Sequence, residues 1–312
     1  KLLFMSEIAN YFLYRTEESE TGLPANCVDD LNLDDLFAEI DYCNSSIGRQ
    51  YLYYLLLSDK VSGVGEQEAL LGSLSANTEL RDFLSKTLKE LNKPDAYSIV
   101  SIIEGNNVEI SRKEMKVISI CRFLPFLFLA LTLIAHSGYF LTLFVVAFIT
   151  NVVLHYRCKP KIQGYFFSIP QLFKMIRQAE RLAQKREFAS VIPGISDDLK
   201  EVEGLKKYIS YFRFNMTLDN DMAILFYIVA ELARIFFLHE AYAVGKTFKL
   251  FKEKSAAIHG IYQFIGFLDT LFSVSILREN LPYYCLPGEN KAGERLRIRS
   301  VYHPLIENCV SN

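Results

Sequence analysis

A chain of 312 residues is long enough for about two domains with a real core, and its 51% apolar content sits slightly above ordinary soluble usage. The net charge of −2 excludes a globally basic nucleic-acid binder, so any DNA contact has to come from a local patch. Six scattered cysteines (Cys27, Cys43, Cys121, Cys158, Cys285, Cys309) make no CxxC pair, and five histidines make no HxxxH pair. That pattern argues against a zinc site or a disulfide framework and for a reducing compartment.

Residues 1–27 hold a helical run, Leu2 to Leu13, then a polar, acid-rich link from Thr16 to Asn26 with Gly22 and Pro24. The opening Lys1–Met5 is too short an apolar run for a signal peptide. Residues 28–116 read as a first helical block. Leu33, Leu36, Phe37 and Ile40 fall at helical spacing, Asn44-Ser45-Ser46 offers an N-cap, and Ile47 to Leu57 resumes as a helix. Asp29, Asp30, Asp34 and Asp35 suit a metal cluster or an acidic helix N-terminus, and the latter needs no ligand. Glu66 to Leu74, then Leu80, Phe83, Leu84 and Leu88, continue the helices; Pro94-Asp95 opens another through Tyr97, Val100 and Ile103.

Residues 117–156 break the pattern. From Phe123 to Tyr156 there are 34 residues without one Asp, Glu, Lys or Arg. Two apolar runs, Val117–Ala135 and Tyr139–Leu154, are joined by His136-Ser137-Gly138. As helices they would be roughly 28 and 24 Å long, close to the roughly 30 Å of a bilayer core. Arg112, Lys113, Lys116 and Arg122 precede the pair, and Arg157, Lys159 and Lys161 follow it. Positive flanks at both ends of a transmembrane hairpin place them on the cytoplasmic side, at the inner membrane. Runs this short also suit buried core helices, and Arg122 and Asn151 interrupt them.

Residues 157–288 return to helical text. Gln171–Phe188 carries one apolar stripe (Leu172, Met175, Ile176, Ala179, Leu182, Ala183) opposite Lys174, Arg177, Arg181 and Lys185. That basic face suits DNA phosphate, and equally a solvated surface. Met222–Leu238 is apolar but contains Glu231 and Arg234, which favours a buried face over a span. Lys246–Glu279 keeps helical spacing throughout and predicts a strut of roughly 50 Å. Gly245-Lys246-Thr247 resembles the end of a P-loop, but Glu240 stands where the motif needs its first glycine. No GxSxG, HExxH, GxGxxG or paired-carboxylate signature is present.

Four stretches carry a family resemblance. Ile40-Asp41-Tyr42-Cys43-Asn44-Ser45-Ser46-Ile47-Gly48-Arg49-Gln50-Tyr51-Leu52 resembles the opening of the core (lever) domain of MutS-family mismatch repair proteins, roughly LLDxxxTxxGxRxLxxWL. Asp41, Gly48 and Leu52 keep their places; Ser45, Gln50 and Leu55 stand where the family has Thr, Arg and Trp. Glu66 through Leu91 resembles the passage that follows. Ile265 to Ser275, with Asp269 and Ser273, is similar to the helix that returns from the lever to the ATPase domain. Leu296-Arg297-Ile298 with Tyr302-His303-Pro304-Leu305-Ile306 resembles the strand opening that domain, Tyr302 standing where the family has Arg.

The resemblance implies an all-α lever region with an inserted apolar hairpin and a short β segment at 289–312, where an ATPase domain would start. Gly48, Asp269, Ser273, His303 and Pro304 would be structural motif residues. Cys309, Val310 and Asn312 would border the nucleotide pocket, Cys309 replacing an aromatic. The Walker residues are absent from this chain, which is expected to be a fragment without a catalytic site, and so is an N-terminal mismatch wedge. The full-length protein is expected to be a DNA-dependent ATPase using ATP and Mg2+, binding mismatched or branched double-stranded DNA and dimerising through the missing ATPase domain. A membrane-anchored helical scaffold of MutS descent, without mismatch recognition, is the alternative.

Overall fold

The computed structural model describes residues 5–17, 22–23, 25–58, 67–104, 112–166, 168–208, 235–286, 299–302 and 305–306. Among them the chain is helical, with a single isolated antiparallel bridge between Gly22 and Ser58. It divides into two compact units: residues 1–97, 177–196 and 261–312 in the first, residues 98–176 and 197–260 in the second.

The first unit begins with α1 (Met5–Glu17), α2 (Ala25–Asp30), α3 (Leu33–Ile40), α4 (Ser46–Leu57), α5 (Glu68–Ala76) and α6 (Thr78–Lys89). Two of these start on side-chain caps, the first of them at the Asn44-Ser45-Ser46 stretch that offered one. The Ser45 side chain accepts from the Gly48 N–H at the start of α4, and Asn77 accepts from the Leu80 N–H at the start of α6. The stripe of α6 turns inward as its spacing requires, with Leu80, Leu84 and Leu88 buried. Tyr11 of α1 is fully buried among the rings of Tyr51, Tyr54 and Tyr262. Beneath them lies the apolar length of α15 (Ser255–Asn280), where Ile261, Tyr262, Phe264, Ile265, Leu268 and Leu271 are all inaccessible.

The second unit contains α7 (Ile99–Glu104), α8 (Arg112–Cys121), α9 (Leu124–Ala135) and α10 (Gly138–Phe166), then much of α11 (Ser168–Ala183). After α12 (Arg186–Ala189), which belongs to the first unit, the second resumes with most of α13 (Ile195–Val202) and then α14 (His239–Glu253). The apolar hairpin is present, with details the spacing did not reveal. Its first arm is interrupted at Arg122-Phe123, directly before Pro125, which sits in the first turn of α9 where its missing N–H costs nothing. His136 closes α9 in the left-handed region (φ 47°), and α10 continues past Tyr156 to Phe166. Among the described residues, 14 of the 22 large apolar side chains that stand exposed lie between Val117 and Tyr156.

Two expectations change. The predicted 50 Å strut is two helices, because α14 ends at Lys254 (φ −114°, ψ 18°), whose N–H turns back to the carbonyls of Leu250 and Phe251. The expected β segment falls largely outside the described residues; 299–302 and 305–306 form no strand. There Tyr302 packs edge-on to Tyr283, whose hydroxyl donates to the Ser300 carbonyl at 2.7 Å. Glu231 and Arg234 lie outside the described residues.

Candidate functional site

A buried polar constellation in the first unit is built around one carboxylate. Asp269, midway along α15 and fully buried, accepts from the Asn44 N–H at 2.9 Å, the Ser45 N–H at 2.7 Å and the Ser45 hydroxyl at 2.6 Å. Ser45 Oγ in turn accepts from the Gly48 N–H at 2.9 Å. A carboxylate beside the first turn of α4 meets unpaired N–H groups and the positive end of the helix dipole. One turn further along α15, Ser273 Oγ accepts from the Tyr42 N–H at 3.0 Å and donates to the Ile40 carbonyl at 2.8 Å. Four backbone positions before α4, at Ile40, Tyr42, Asn44 and Ser45, are thereby fixed to one helix.

Two glycines permit this approach. A Cβ at Gly48 would stand 2.1 Å from Asp269 Oδ2, and a Cβ at Gly266 would stand 2.5 Å from Tyr51 Cβ. Burial pushes the Asp269 carboxyl up to about 6, against the opposing pull of its donors at Ser45 and Asn44 and of Arg49. Cys43 is enclosed in the same cluster. Burial, and after it the nearby Asp269 and Asp41, push its thiol upward, the reverse of what a reactive cysteine requires.

Arg49 forms an outer layer. Its guanidinium donates to Asp41 Oδ2 at 3.2 Å, to Asn92 Oδ1 at 2.7 Å and to the Cys43 carbonyl at 3.2 Å. A small cleft of about 150 Å³ opens here between Phe37, Asp41, Arg49, Asn92 and Tyr97. Its lining includes neither histidine nor cysteine, and its volume is well below that of ordinary cofactor pockets. Chemically the cluster is a clasp: it fixes backbone and offers no nucleophile with an adjacent base.

The sequence-derived residues are thus divided. Gly48, Asp269 and Ser273 come together in the clasp although more than 200 positions separate Gly48 from Asp269. His303, Pro304, Cys309, Val310 and Asn312 lie outside the described residues. On α11, Arg177, Arg181 and Lys185 are exposed and belong to the first unit, while the half-buried Lys174 belongs to the second. Arg181 is engaged with Glu90 at 3.4 Å and with Gln178 at 3.0 Å, and Lys185 lies over the Phe83 ring. Asp34 accepts from the Tyr53 hydroxyl at 2.9 Å, and no three His, Cys, Asp or Glu among the described residues group as a metal site. Gly245-Lys246-Thr247 lies inside α14, with the Thr247 hydroxyl donating to the Ala243 carbonyl one turn back.

Some partners had no local signal. Gln50 donates to the carbonyls of Glu7 and Tyr97 and accepts from the Tyr262 hydroxyl at 2.7 Å. Arg278 grips both oxygens of Glu68 at 2.8 Å. Each pair is distant in the chain and of common residue types, so only the fold identifies it.

The second unit presents a different feature. Among the described residues three helical stretches are long and apolar enough to cross a membrane: Lys113–Ala135 and Gly138–Lys159 in this unit, and Ser255–Asn280, most of which belongs to the first. In the first two only 17% of the apolar window is buried, against 72% in the third. The third is therefore core, and the first two display their apolar surface. At the base of the hairpin, the Arg122 guanidinium stacks on Phe123 at 4.3 Å and on Tyr242 at 4.0 Å. Comparison with family models, with curated proteins and with solved structures returns no match to this chain.

Proposed function

We propose that this chain is the core (lever) region of a MutS-like DNA mismatch repair-related ATPase, held at a membrane by the α9–α10 hairpin. The observation that carries it is the clasp. Two of the stretches bearing the resemblance, 40–52 and 265–275, meet there: Gly48 lies against Asp269, and Ser273 bonds the backbone at Ile40 and Tyr42. A lever needs its entering and returning segments fixed to each other if movement at one end is to reach the other. On this reading ATP and Mg2+ bind to an ATPase domain following α15, which also supplies the dimer contact. Double-stranded DNA, mismatched or branched, is the partner.

The hairpin adds a place to that function. Its exposed apolar surface suits a lipid bilayer, and its basic flanks suit the cytoplasmic face of an inner membrane. That surface also favours the second reading, a membrane-anchored helical scaffold of the same descent that does not recognise mismatches.

Binding of the full-length protein to plain, mismatched and branched duplexes over a range of salt separates them. Tighter, salt-dependent binding to mismatched or branched DNA is the result expected of the lever. Background binding at every salt concentration, with all protein in the membrane fraction, would leave the scaffold.

A further inference from the structure

Asn151 is a costly residue for a membrane helix, since an amide in hydrocarbon without partners is unfavourable by several kcal/mol. Here it is fully buried, and its Nδ2 donates at 3.1 Å to the carbonyl of Phe236. Phe236 belongs to a helical turn at 235–237 that ends at Leu238, where the backbone enters the left-handed region (φ 44°) before α14 begins. Carbonyls just ahead of such a break lose their intrahelical donors. Asn151 is placed to supply one.

The level of this contact along the hairpin is informative. Phe236 packs against Phe126 at 4.7 Å, Phe148 at 5.9 Å and Phe144 at 6.1 Å. At 1.5 Å per residue, Phe144, Phe148 and Asn151 lie about 9, 15 and 20 Å from the tip of α10, and Phe126 about 14 Å from the tip of α9. Arg157, the first charge of α10, lies about 29 Å from the tip. Arg122, the last charge before α9, lies about 20 Å from the tip of that arm, below the Phe126–Phe236 contact, and there meets Tyr242. A hairpin that enters a bilayer therefore carries the 235–238 turn to mid-depth with it. Phe237, half exposed, packs on Phe126 at 4.8 Å on the same side.

We infer that the helix break at Leu238 lies inside the bilayer beside the hairpin. The embedded part is then a three-segment unit in which Asn151 completes the broken helix and hydrocarbon covers the outward faces of α9, α10 and Phe237. This rests on the membrane reading of the hairpin and extends it. The anchor is a packed intramembrane module that ties α14 to the membrane, and the hairpin is one part of it.

The chain contains no tryptophan, so single substitutions serve as lone depth reporters. Val146→Trp reports the hairpin, Phe237→Trp the third segment and Leu13→Trp the first unit, each in the full chain reconstituted into phosphatidylcholine vesicles. Quenching by lipid labelled with a nitroxide at mid-chain is compared with quenching by aqueous acrylamide. The expected result is several-fold stronger lipid quenching for Val146→Trp and Phe237→Trp, and the reverse for Leu13→Trp. Lipid quenching of Val146→Trp with only acrylamide quenching of Phe237→Trp overturns the inference and leaves the hairpin anchor standing. Acrylamide quenching of both overturns both. Adding Asn151→Leu to Phe237→Trp should at least double acrylamide access, and Asn151→Gln should restore part of the protection. No change with Asn151→Leu removes Asn151 from its assigned role.

Discussion

Gly48 and Asp269 share one contact: the hydrogen of the glycine faces the carboxylate oxygen with no room for a methyl group between them. Any Cβ at 48 would stand 2.1 Å from Asp269 Oδ2, and that oxygen is already engaged by the Ser45 N–H and hydroxyl. The pair sets how closely α4 lies against α15. The small residue and the acid are two halves of one device, which accounts for their joint appearance in the motif stretches.

Gly48→Ala should therefore destabilise the protein even though alanine favours helix. Overpacking a tight site costs about 1–3 kcal/mol against the roughly 1 kcal/mol that helix propensity returns, and with three atoms of the buried Asp269 side chain in the way the cost falls at the upper end. Urea unfolding should show a lowered midpoint with an unchanged slope. A midpoint equal to wild type would mean that α15 moves aside freely, and the clasp would not be the rigid joint described here.

Asp269 should also leave a signature in the pH dependence of stability. Burial holds its folded-state value near 6, above the ordinary 3.8, so the folded chain keeps the proton more readily than the unfolded chain. Its contribution is then fully present below about 3.8 and is lost as pH rises through about 6, a change on the order of 3 kcal/mol. Asp269→Asn has no such titration. The stability difference between wild type and Asp269→Asn, followed by urea unfolding, should shift against wild type as pH rises from about 4 to 7. A difference that stays constant over that range would mean that the carboxylate is ionised throughout.

Much of this was readable in the chain because local rules govern it. The cap at Ser45, the stripe Leu80–Leu84–Leu88 and the turn at His136 follow from residue type and spacing. The clasp was legible only as the separate motif positions Gly48, Asp269 and Ser273, since nothing in spacing says that residues so far apart touch. Lys254 was missed because apolar spacing runs across it unbroken, while the helix ends there for reasons of backbone geometry. Periodicity sees which face is apolar and is blind to a one-residue interruption. Asn151 was legible as an anomaly and became intelligible through Phe236, a partner 85 positions away.

If α11 contacts DNA in the full-length protein, its basic residues should contribute unequally. Each phosphate neutralised on duplex DNA changes the slope of log affinity against log salt by about 0.9. Arg177 is exposed, whereas Arg181 is held by Glu90 and Gln178. Arg177→Gln is expected to lower the slope by about 0.9 and Arg181→Gln by clearly less. Equal slopes for both variants and wild type would remove α11 from the DNA-binding surface.

The hairpin offers the most direct choice between water and lipid. Val146 and Ile149 point outward from α10, 60% and 55% exposed, well away from the Asn151 face. On a surface bathed in water, replacing them with Asp would be close to neutral, as surface substitutions generally are within about 0.5 kcal/mol. Near the centre of a bilayer each Asp costs about 2.5–3.5 kcal/mol by insertion scales, so the pair opposes insertion by about 5–7 kcal/mol. Val146→Asp with Ile149→Asp should therefore move the protein from an alkali-resistant membrane fraction to a soluble or degraded one, while Leu13→Asp, equally exposed on α1, should not. A double variant that stays folded, and a wild type that washes off the membrane at high pH, would return these helices to the aqueous surface and leave their apolar faces to another protein.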